Sequence, residues 1–539
     1  MNFLTVEQMK TADQTAISAL KIPGLTLMRR AGIALAEATK HLARAYKTSK
    51  VVVVAGHGNN GGDACVAARC LHEDGYLTQV LMTCVPAQLR GDAHKAWDEM
   101  RTAGVPYTVL ATPANWDDLD GLAADLEGRS CVIIDGVLGT GCKEAPADEA
   151  ASAIRWINAM KPQARIVSAD LPSGMNGNTG ETPGHVVEAD VTVTFARPKR
   201  CFLNEKTAHC VGQLLVANIG IPDAVSDVSA DAEPCTLNAS PHLMHGDRPQ
   251  DWDAHKGNQG HICILGGSRM YPHAPILAAA SALKSGAGLV TLTVPEASAI
   301  AAATLAPEAI LNVQAITADG TLSSANLSSS GWKADDFDIL AIGPGLSVCA
   351  QTADVVARLL ATASVPMVLD ADGLTALAHL RNTGEWRPSP NQPLILTPHP
   401  GEAARLLGCS IQEVQADRLS AVRRLADLYQ AVVVLKGAGT LIGQPGRIPV
   451  LNRTGNPGMA TAGTGDVLTG MIAALWAQHD QMRAGTLDDA FASAAAAVWI
   501  HGAAGDFAAF EEGRRSVTAT RLLANLPRAY NLAAQFSFK

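Results

Sequence analysis

Apolar runs of strand length alternate with helical periodicity along the whole chain. In the first half they fall at 51–55, 79–84, 131–135 and 166–170. In the second half they fall at 262–265, 339–342, 367–370, 394–397 and 432–436. The runs are continuous rather than alternating, as expected of strands buried on both faces of a parallel sheet with crossover helices. The pattern predicts an α/β fold twice over, two αβα sandwiches of which the first is Rossmann-like. An alanine-rich stretch at 490–510 predicts one closely packed, buried helix.

The period lapses over 224–250, a polar, proline-punctuated stretch, which places a domain boundary there, between domains at 1–225 and 240–535. The length of 539 residues agrees, being too great for one ordinary domain. A net charge of −9 with no basic run argues against a nucleic acid or anionic membrane as partner. The 11 cysteines are scattered without a CxxC pair, which predicts reduced thiols and no zinc site. The opening residues lack a basic region followed by an apolar core, and no apolar stretch reaches membrane-spanning length, so a cytoplasmic location is expected. A homo-oligomer is expected.

Two glycine-rich loops carry the candidate chemistry. The first is Gly56-His57-Gly58-Asn59-Asn60-Gly61-Gly62-Asp63, directly after the 51–55 strand and opening a helix, where free N–H groups favour an anion. Its G-x-G-x-x-G spacing matches a dinucleotide fingerprint, but the following strand, 79–84, ends without the acidic residue that would hold a ribose. An ordinary NAD-dependent dehydrogenase is therefore disfavoured. Two further strand ends deliver Asp135 before Gly139-Thr140-Gly141 and Asp170 before Pro172-Ser173-Gly174. Ligands bind outside the carboxyl ends of parallel strands, so Asn60, Asp135, Asp170 and Ser173 should converge into an oxygen cage suited to a cation of low charge. Singly, each of them reads equally well as a cap or turn former. His57 reads as a loop residue and Lys199 as a solvated surface lysine.

GNNGGD, D-x-x-x-GTG and D-x-PSG, with LTVEQMKTADQTAI and PGLTLMRRAG ahead of them, resemble the NAD(P)H-hydrate epimerase family, the YjeF N-terminal domain, over roughly residues 1–220. The resemblance implies substrate contact by Asn59, Asn60, Gly61, Gly62 and Asp63, by the loop Gly139, Thr140, Gly141, Cys142, Lys143, Glu144 and Ala145, and by Asp170, the candidate catalytic group. It also implies a potassium ion on Asn60, Asp135 and Ser173. The family usually has Glu where this chain has Arg29.

The second loop, Gly463-Thr464-Gly465-Asp466, runs into a helical apolar period. Glycines there admit a phosphate, and a carboxylate beside a phosphate is repelled by it. Asp466 makes sense as the base that deprotonates a hydroxyl attacking phosphorus, or else as a helix cap. Lys436-Gly437-Ala438-Gly439-Thr440 after the 432–436 strand and Gly343-Pro344-Gly345 after 339–342 are two more strand-end loops suited to a nucleotide. His399, between two prolines, reads equally as a ligand contact or a structural histidine.

HKGNQGHICILGGS, SALKSGAGLV, AIGPGL, LTPHPGE, VVVLKG and NPGMATAGTGDVLTG resemble the ADP/ATP-dependent NAD(P)H-hydrate dehydratase family, a ribokinase-like fold, over roughly 240–530. The resemblance implies contact with the hydrated nicotinamide nucleotide by Ala287, Gly345, His399 and Asp466. It implies that Lys436, Gly437, Ala438, Gly439, Thr440 and Gly465 hold the adenine nucleotide with magnesium. The expected partners are thus hydrated NADH or NADPH and ADP or ATP, with ADP the expected donor. His273 and Ser347 replace glycines common in that family. Two rival readings remain: a kinase of the same superfamily, and a first domain that binds without catalysing.

Overall fold

The computed structural model describes residues 1–117, 119, 131–226, 235–238, 255–389, 392–478 and 486–536. The chain divides into two compact units, Met1–Glu233 and Pro234–Lys539. Most of the polar stretch 224–250 lies outside the described residues.

The first unit is built on seven strands: β1 (Lys50–Ala55), β2 (Leu77–Met82), β3 (Tyr107–Val109), β4 (Cys131–Gly136), β5 (Ala164–Ala169), β6 (Val191–Phe195) and β7 (Gln213–Ala217). All pairings are parallel, in the order 3-2-1-4-5-6-7. Central strands β1 and β4 are buried almost end to end because helices cover both faces, which is why they read as unbroken apolar runs. The order reverses between β1 and β4, and a crevice opens at such a switch point.

The second unit holds ten strands: β8 (Thr236–Leu237), β9 (His261–Leu265), β10 (Leu289–Pro295), β11 (Ile310–Gln314), β12 (Ile339–Ile342), β13 (Met367–Leu369), β14 (Leu394–Leu396), β15 (Val432–Leu435), β16 (Leu441–Gly443) and β17 (Val450–Leu451). Their order is 11-10-9-12-13-14-15-16-17-8, with the reversal between β9 and β12. This sheet is not wholly parallel: β16 runs antiparallel to β15 and β17. The loop from Lys436 to Thr440 turns the chain back at once, using left-handed backbone at Gly439 (φ 62°) where a crossover helix would need a dozen residues. Short β8 lies inside the stretch that had no legible period, and pairs with β17 at the sheet edge. The alanine-rich segment is the helix Leu487–Glu512, packed between the helices Thr464–Ala477 and Ala519–Phe536. Among the described residues, no helix is long and apolar enough to cross a membrane.

Candidate active sites

In the first unit, β1 and β4 end side by side, with the Gly56 N–H donating to the Gly136 carbonyl at 3.0 Å. A Cβ on Gly56 would lie 2.0 Å from the Val137 oxygen, and one on Gly61 would lie 1.9 Å from the Gly56 oxygen. Close chain-on-chain approach therefore requires these two glycines, whereas Gly58 has nothing within 4 Å among the described residues. His57 is exposed in this loop.

The helix Asn59–Glu73 starts here and brings Asn60 to β5, its Nδ2 donating to the Ala169 carbonyl at 2.5 Å and the Leu138 carbonyl at 3.2 Å. Ser173 meets the same place from the other side: the Leu138 N–H donates to its Oγ at 2.8 Å. Asp135 is fully buried and accepts from Ser168 Oγ (2.7 Å), the Ser173 N–H (2.9 Å) and Ser173 Oγ (2.5 Å). Burial pushes its carboxyl up against the opposing pull of those donors. Asn60, Asp135 and Ser173 are thus brought together around Leu138. The loop 139–145 crosses the helix start, where a Cβ on Gly139 would lie 2.6 Å from Asn60 Oδ1. Gly141, Lys143, Glu144 and Ala145 are exposed, while Thr140 and Cys142 are half-buried.

Asp170 leaves β5 in left-handed backbone (φ 64°) and points away from that group, pairing with Lys199. The reading of Lys199 as a surface lysine is overturned: it is 1% exposed, with Nζ 3.1 Å from both Thr194 Oγ1 and the Phe195 carbonyl. The chain turns at Ala196 (φ 60°) and comes back over the site. The first residues seal it, Leu4 donating to the Pro198 carbonyl at 2.8 Å and accepting from Arg200 N–H at 2.9 Å. Two more acids face this ammonium. Burial raises Asp13, on the helix Val6–Ser18, to about 6, with Lys199 opposing. Asp63 is buried with no hydrogen-bond partner among the described residues, and burial, Asp170 and Asp13 together push its carboxyl well above its ordinary value. A carboxylate pinned by lysine beside a carboxyl that burial pushes toward its protonated form is an acid–base arrangement. Arg29 forms a surface pair with Glu99.

In the second unit, three neighbouring strand ends deliver one polar cluster. Asp370 follows β13, Thr397 follows β14 and Lys436 follows β15. Asp370 accepts from Lys436 Nζ at 2.7 Å and Thr397 Oγ1 at 2.7 Å, and from Thr469 Oγ1 on the helix Thr464–Ala477 at 2.9 Å. Burial alone would raise Asp370; Lys436 and these hydrogen bonds outweigh it and hold the carboxyl below its ordinary value. Lys436 also lies 3.8 Å from Glu402 Oε2. Neither Asp370 nor Glu402 is singled out by motif reading: Asp370 ends its strand without the GTG or PSG loop that follows Asp135 and Asp170, and Glu402 lies inside a capping box.

Asp466 stands in the first turn of the helix Thr464–Ala477, whose N-cap is Gly463, and it makes no capping bond. Burial, then the charge of Asp370, raise it to about 7 against the pull of Lys436. Gly465 brings the helix start close to that lysine, since a Cβ there would lie 3.4 Å from Nζ. The carbonyls of Leu435, Lys436 and Gly439 are gathered by Arg418 Nη2 at 3.1, 3.4 and 3.4 Å, which sets the reversal through Gly437 and Ala438 to Thr440.

His399 is both structural and available. Its Nδ1 accepts from the N–H groups of Gly401 (3.0 Å) and Glu402 (3.3 Å), capping the helix Pro400–Leu407, so the proton of the neutral ring is on exposed Nε2. Gly343 (φ 130°) is needed for its own chain, a Cβ there lying 1.8 Å from the Asp370 oxygen. Gly345 is half-buried at the β12 end. Ser347 has left-handed backbone (φ 65°), which explains why glycine suits the position, and donates to Ser268 Oγ at 2.8 Å. His273 precedes the helix Ala274–Lys284 without a side-chain cap bond. Ala287 is not brought to these groups. It precedes β10, so it sits at the amino end of a parallel sheet whose carboxyl ends carry the cluster, a strand length of about 20 Å away.

A family model described as "YjeF-related protein N-terminus" matches residues 24–201, and one described as "NAD(P)H-hydrate dehydratase" matches residues 262–528. A bifunctional NAD(P)H-hydrate repair enzyme of Moorella thermoacetica is 38% identical, over 98% of this chain and 96% of its own length. One of Thermofilum pendens is 35% identical, over 98% and 96%. Among solved structures, an ADP/ATP-dependent NAD(P)H-hydrate dehydratase from Bacillus subtilis, co-crystallised with ATP and Mg2+, is 30% identical over 56% of this chain and 100% of its own, with a TM-score of 0.46. With both family models matched in order and such relatives aligned nearly end to end, the chain belongs to the bifunctional NAD(P)H-hydrate repair enzymes.

Proposed function

We propose that the first unit interconverts the R and S epimers of hydrated NADH and NADPH, and that the second uses ADP to dehydrate the S form, giving back the reduced cofactor with AMP and phosphate. The carrying observation is Asp466: a carboxyl without a hydrogen bond among the described residues, raised to about 7, at a helix start beside Lys436. A base is most useful with its pKa near the working pH. Asp466 takes the proton of the ring hydroxyl as its oxygen bonds the terminal phosphorus, and AMP departs. The C–O bond then breaks with phosphate as leaving group and loss of a ring proton, which restores the double bond. Lys436 and the helix start stabilise the phosphates.

Magnesium carried on the nucleotide would neutralise phosphate charge. Asp370 accepts from three donors, whereas Glu402 Oε1 has His399 Nε2 at the longer distance of 3.4 Å, so Glu402 keeps more room for a hard cation. In the first unit, Ser173, Asn60 and the Leu138 carbonyl offer oxygens that fit potassium, with Asp135, itself held by Ser168 and Ser173, adding a carboxylate behind them, while Asp170 with Lys199, and Asp63 with its raised carboxyl, do the proton work.

The test is to give the purified chain a mixture of both epimers with ADP or ATP and follow the dihydronicotinamide absorbance. Full recovery with phosphate release supports the reading. A stable phosphorylated hydrate would mark a kinase instead, and conversion that stops at one epimer would mark an inactive first unit.

A further inference from the structure

The helix Leu487–Glu512 turns one stripe toward the loop that leads into Asp466. Thr454 Oγ1 donates to the Trp499 carbonyl at 2.8 Å. A Cβ on Gly502 would lie 2.2 Å from Thr454 Oγ1, and one on Gly505 would lie 2.2 Å from Met459 Sδ. Asp506 accepts from the Gly455 N–H and from Asn456 Nδ2, both at 2.9 Å, and Asn456 Oδ1 in turn accepts from the Gly458 N–H at 3.0 Å. The loop is thus moulded on this helix as well as held by its own short contacts.

His501 is the member of the stripe that reaches the reacting end. Its Nε2 lies 2.8 Å from the Thr464 carbonyl oxygen. That oxygen can only accept, so Nε2 carries the proton. Burial drives the imidazole down to about 4, which keeps it neutral. In a trans peptide, C=O and N–H point in opposite directions. Holding the Thr464 oxygen therefore aims the Gly465 N–H out of the helix start, where it has no acceptor among the described residues.

We propose that His501 is a positioning residue for phosphoryl transfer: it holds the Thr464–Gly465 peptide from behind so that the Gly465 N–H faces the nucleotide phosphate and Asp466 keeps its place. The proposal rests on the dehydratase reading above. It separates two polar, uncharged replacements. Gln at 501 can put an N–H where Nε2 stands; Asn is too short to do so.

With the full chain, S-hydrate and ADP, His501→Asn is expected to raise the nucleotide KM on the order of tenfold, the worth of one well-placed hydrogen bond, and to lower kcat. His501→Gln should stay within about twofold of the parent in KM by the same reasoning. A purely structural role would lower the active fraction, reducing kcat at unchanged KM, and Gln would rescue no better than Asn. Equal KM in both variants with an active parent overturns the positioning role alone; a parent that restores no reduced cofactor with either nucleotide overturns the dehydratase reading beneath it. Should the variants fail to fold, 15N spectra of the histidine-labelled parent decide: an Nε2–H tautomer with an unprotonated Nδ1 that persists at pH 5 supports the assignment, and an Nδ1–H tautomer or a charged ring overturns it.

Discussion

Lys436 and Asp370 meet across an intervening strand, Nζ 2.7 Å from Oδ1, with the lysine leaving β15 and the aspartate leaving β13. Thr397, from the strand between them, closes the third side. One half-buried ammonium thereby sets the charge of the surrounding acids, lowering Asp370 and restraining the rise of Asp466.

Lys436→Met leaves Asp370 buried with two hydroxyl donors and no counter-charge. Losing one partner of a buried pair costs about 3–5 kcal/mol, which should appear as an earlier thermal transition of the second unit. Adding Asp370→Asn removes the stranded charge and should recover part of that loss, so a double-mutant cycle measures the coupling. The sign follows from the lowered Asp370 value. Its contribution is full above the unfolded carboxyl value near ~4 and is lost as pH falls through the lower folded value. The stability gap between parent and Lys436→Met should therefore be smaller under acid conditions, where Asp370 is protonated in both, than at neutral pH.

Asp466→Asn keeps the shape of a side chain that makes no hydrogen bond among the described residues, so folding should be unaffected, while loss of the base should cut dehydration on the order of a hundredfold or more. In the parent the acid must be unprotonated to act. The dehydration rate should rise with pH through about 7 and level off above it. A flat profile between pH 6 and 8, with chemistry rate-limiting, would remove Asp466 from the base role.

Much of the sheet was legible because parallel strands buried on both faces must be apolar throughout, as at β1, β4, β12 and β15. Edge strands carry no such signal. β8 has two residues, and β11 is largely half-exposed, so neither shows a run. The glycine loops were legible as loops, but Gly56, Gly61 and Gly343 are glycine because chain meets chain there. Asp13, Lys199 and Asp370 were hidden for a different reason. Each becomes part of a site only through residues far away in sequence: Lys199 through Leu4 and Asp170, Asp370 through Lys436 and Thr469.

Cutting the chain anywhere from 228 to 232 should give two soluble fragments, since each unit has its own complete sheet. Cutting at 245 should not be equivalent. It hands β8 to the first fragment and strips β17 of its partner, exposing a sheet edge. The second fragment from the later cut should melt earlier and aggregate more readily by light scattering. Equal behaviour of the two cuts would show that β8 contributes nothing to the second unit.

Lys199 gives the sharpest test of the first unit. Its ammonium is the only cation facing Asp13, Asp63 and Asp170 among the described residues named in this cluster, and it is held by Asp170, Thr194 and the Phe195 carbonyl. Lys199→Met fits the apolar stem but leaves the acids without a counter-charge, so epimerisation should be lost. Lys199→Arg should not restore it, because a planar fork cannot make the three converging contacts of an ammonium. Asp170→Asn guards against simple misfolding. Asparagine tolerates the left-handed backbone at that position and can still bond Thr194, so the variant should fold while losing the carboxylate. Given both epimers and excess ADP, each of these variants should convert one epimer quickly through the second unit and the other only at its spontaneous rate. Fast, complete conversion by Asp170→Asn would mean that the paired aspartate and lysine hold the fold together and take no part in the chemistry.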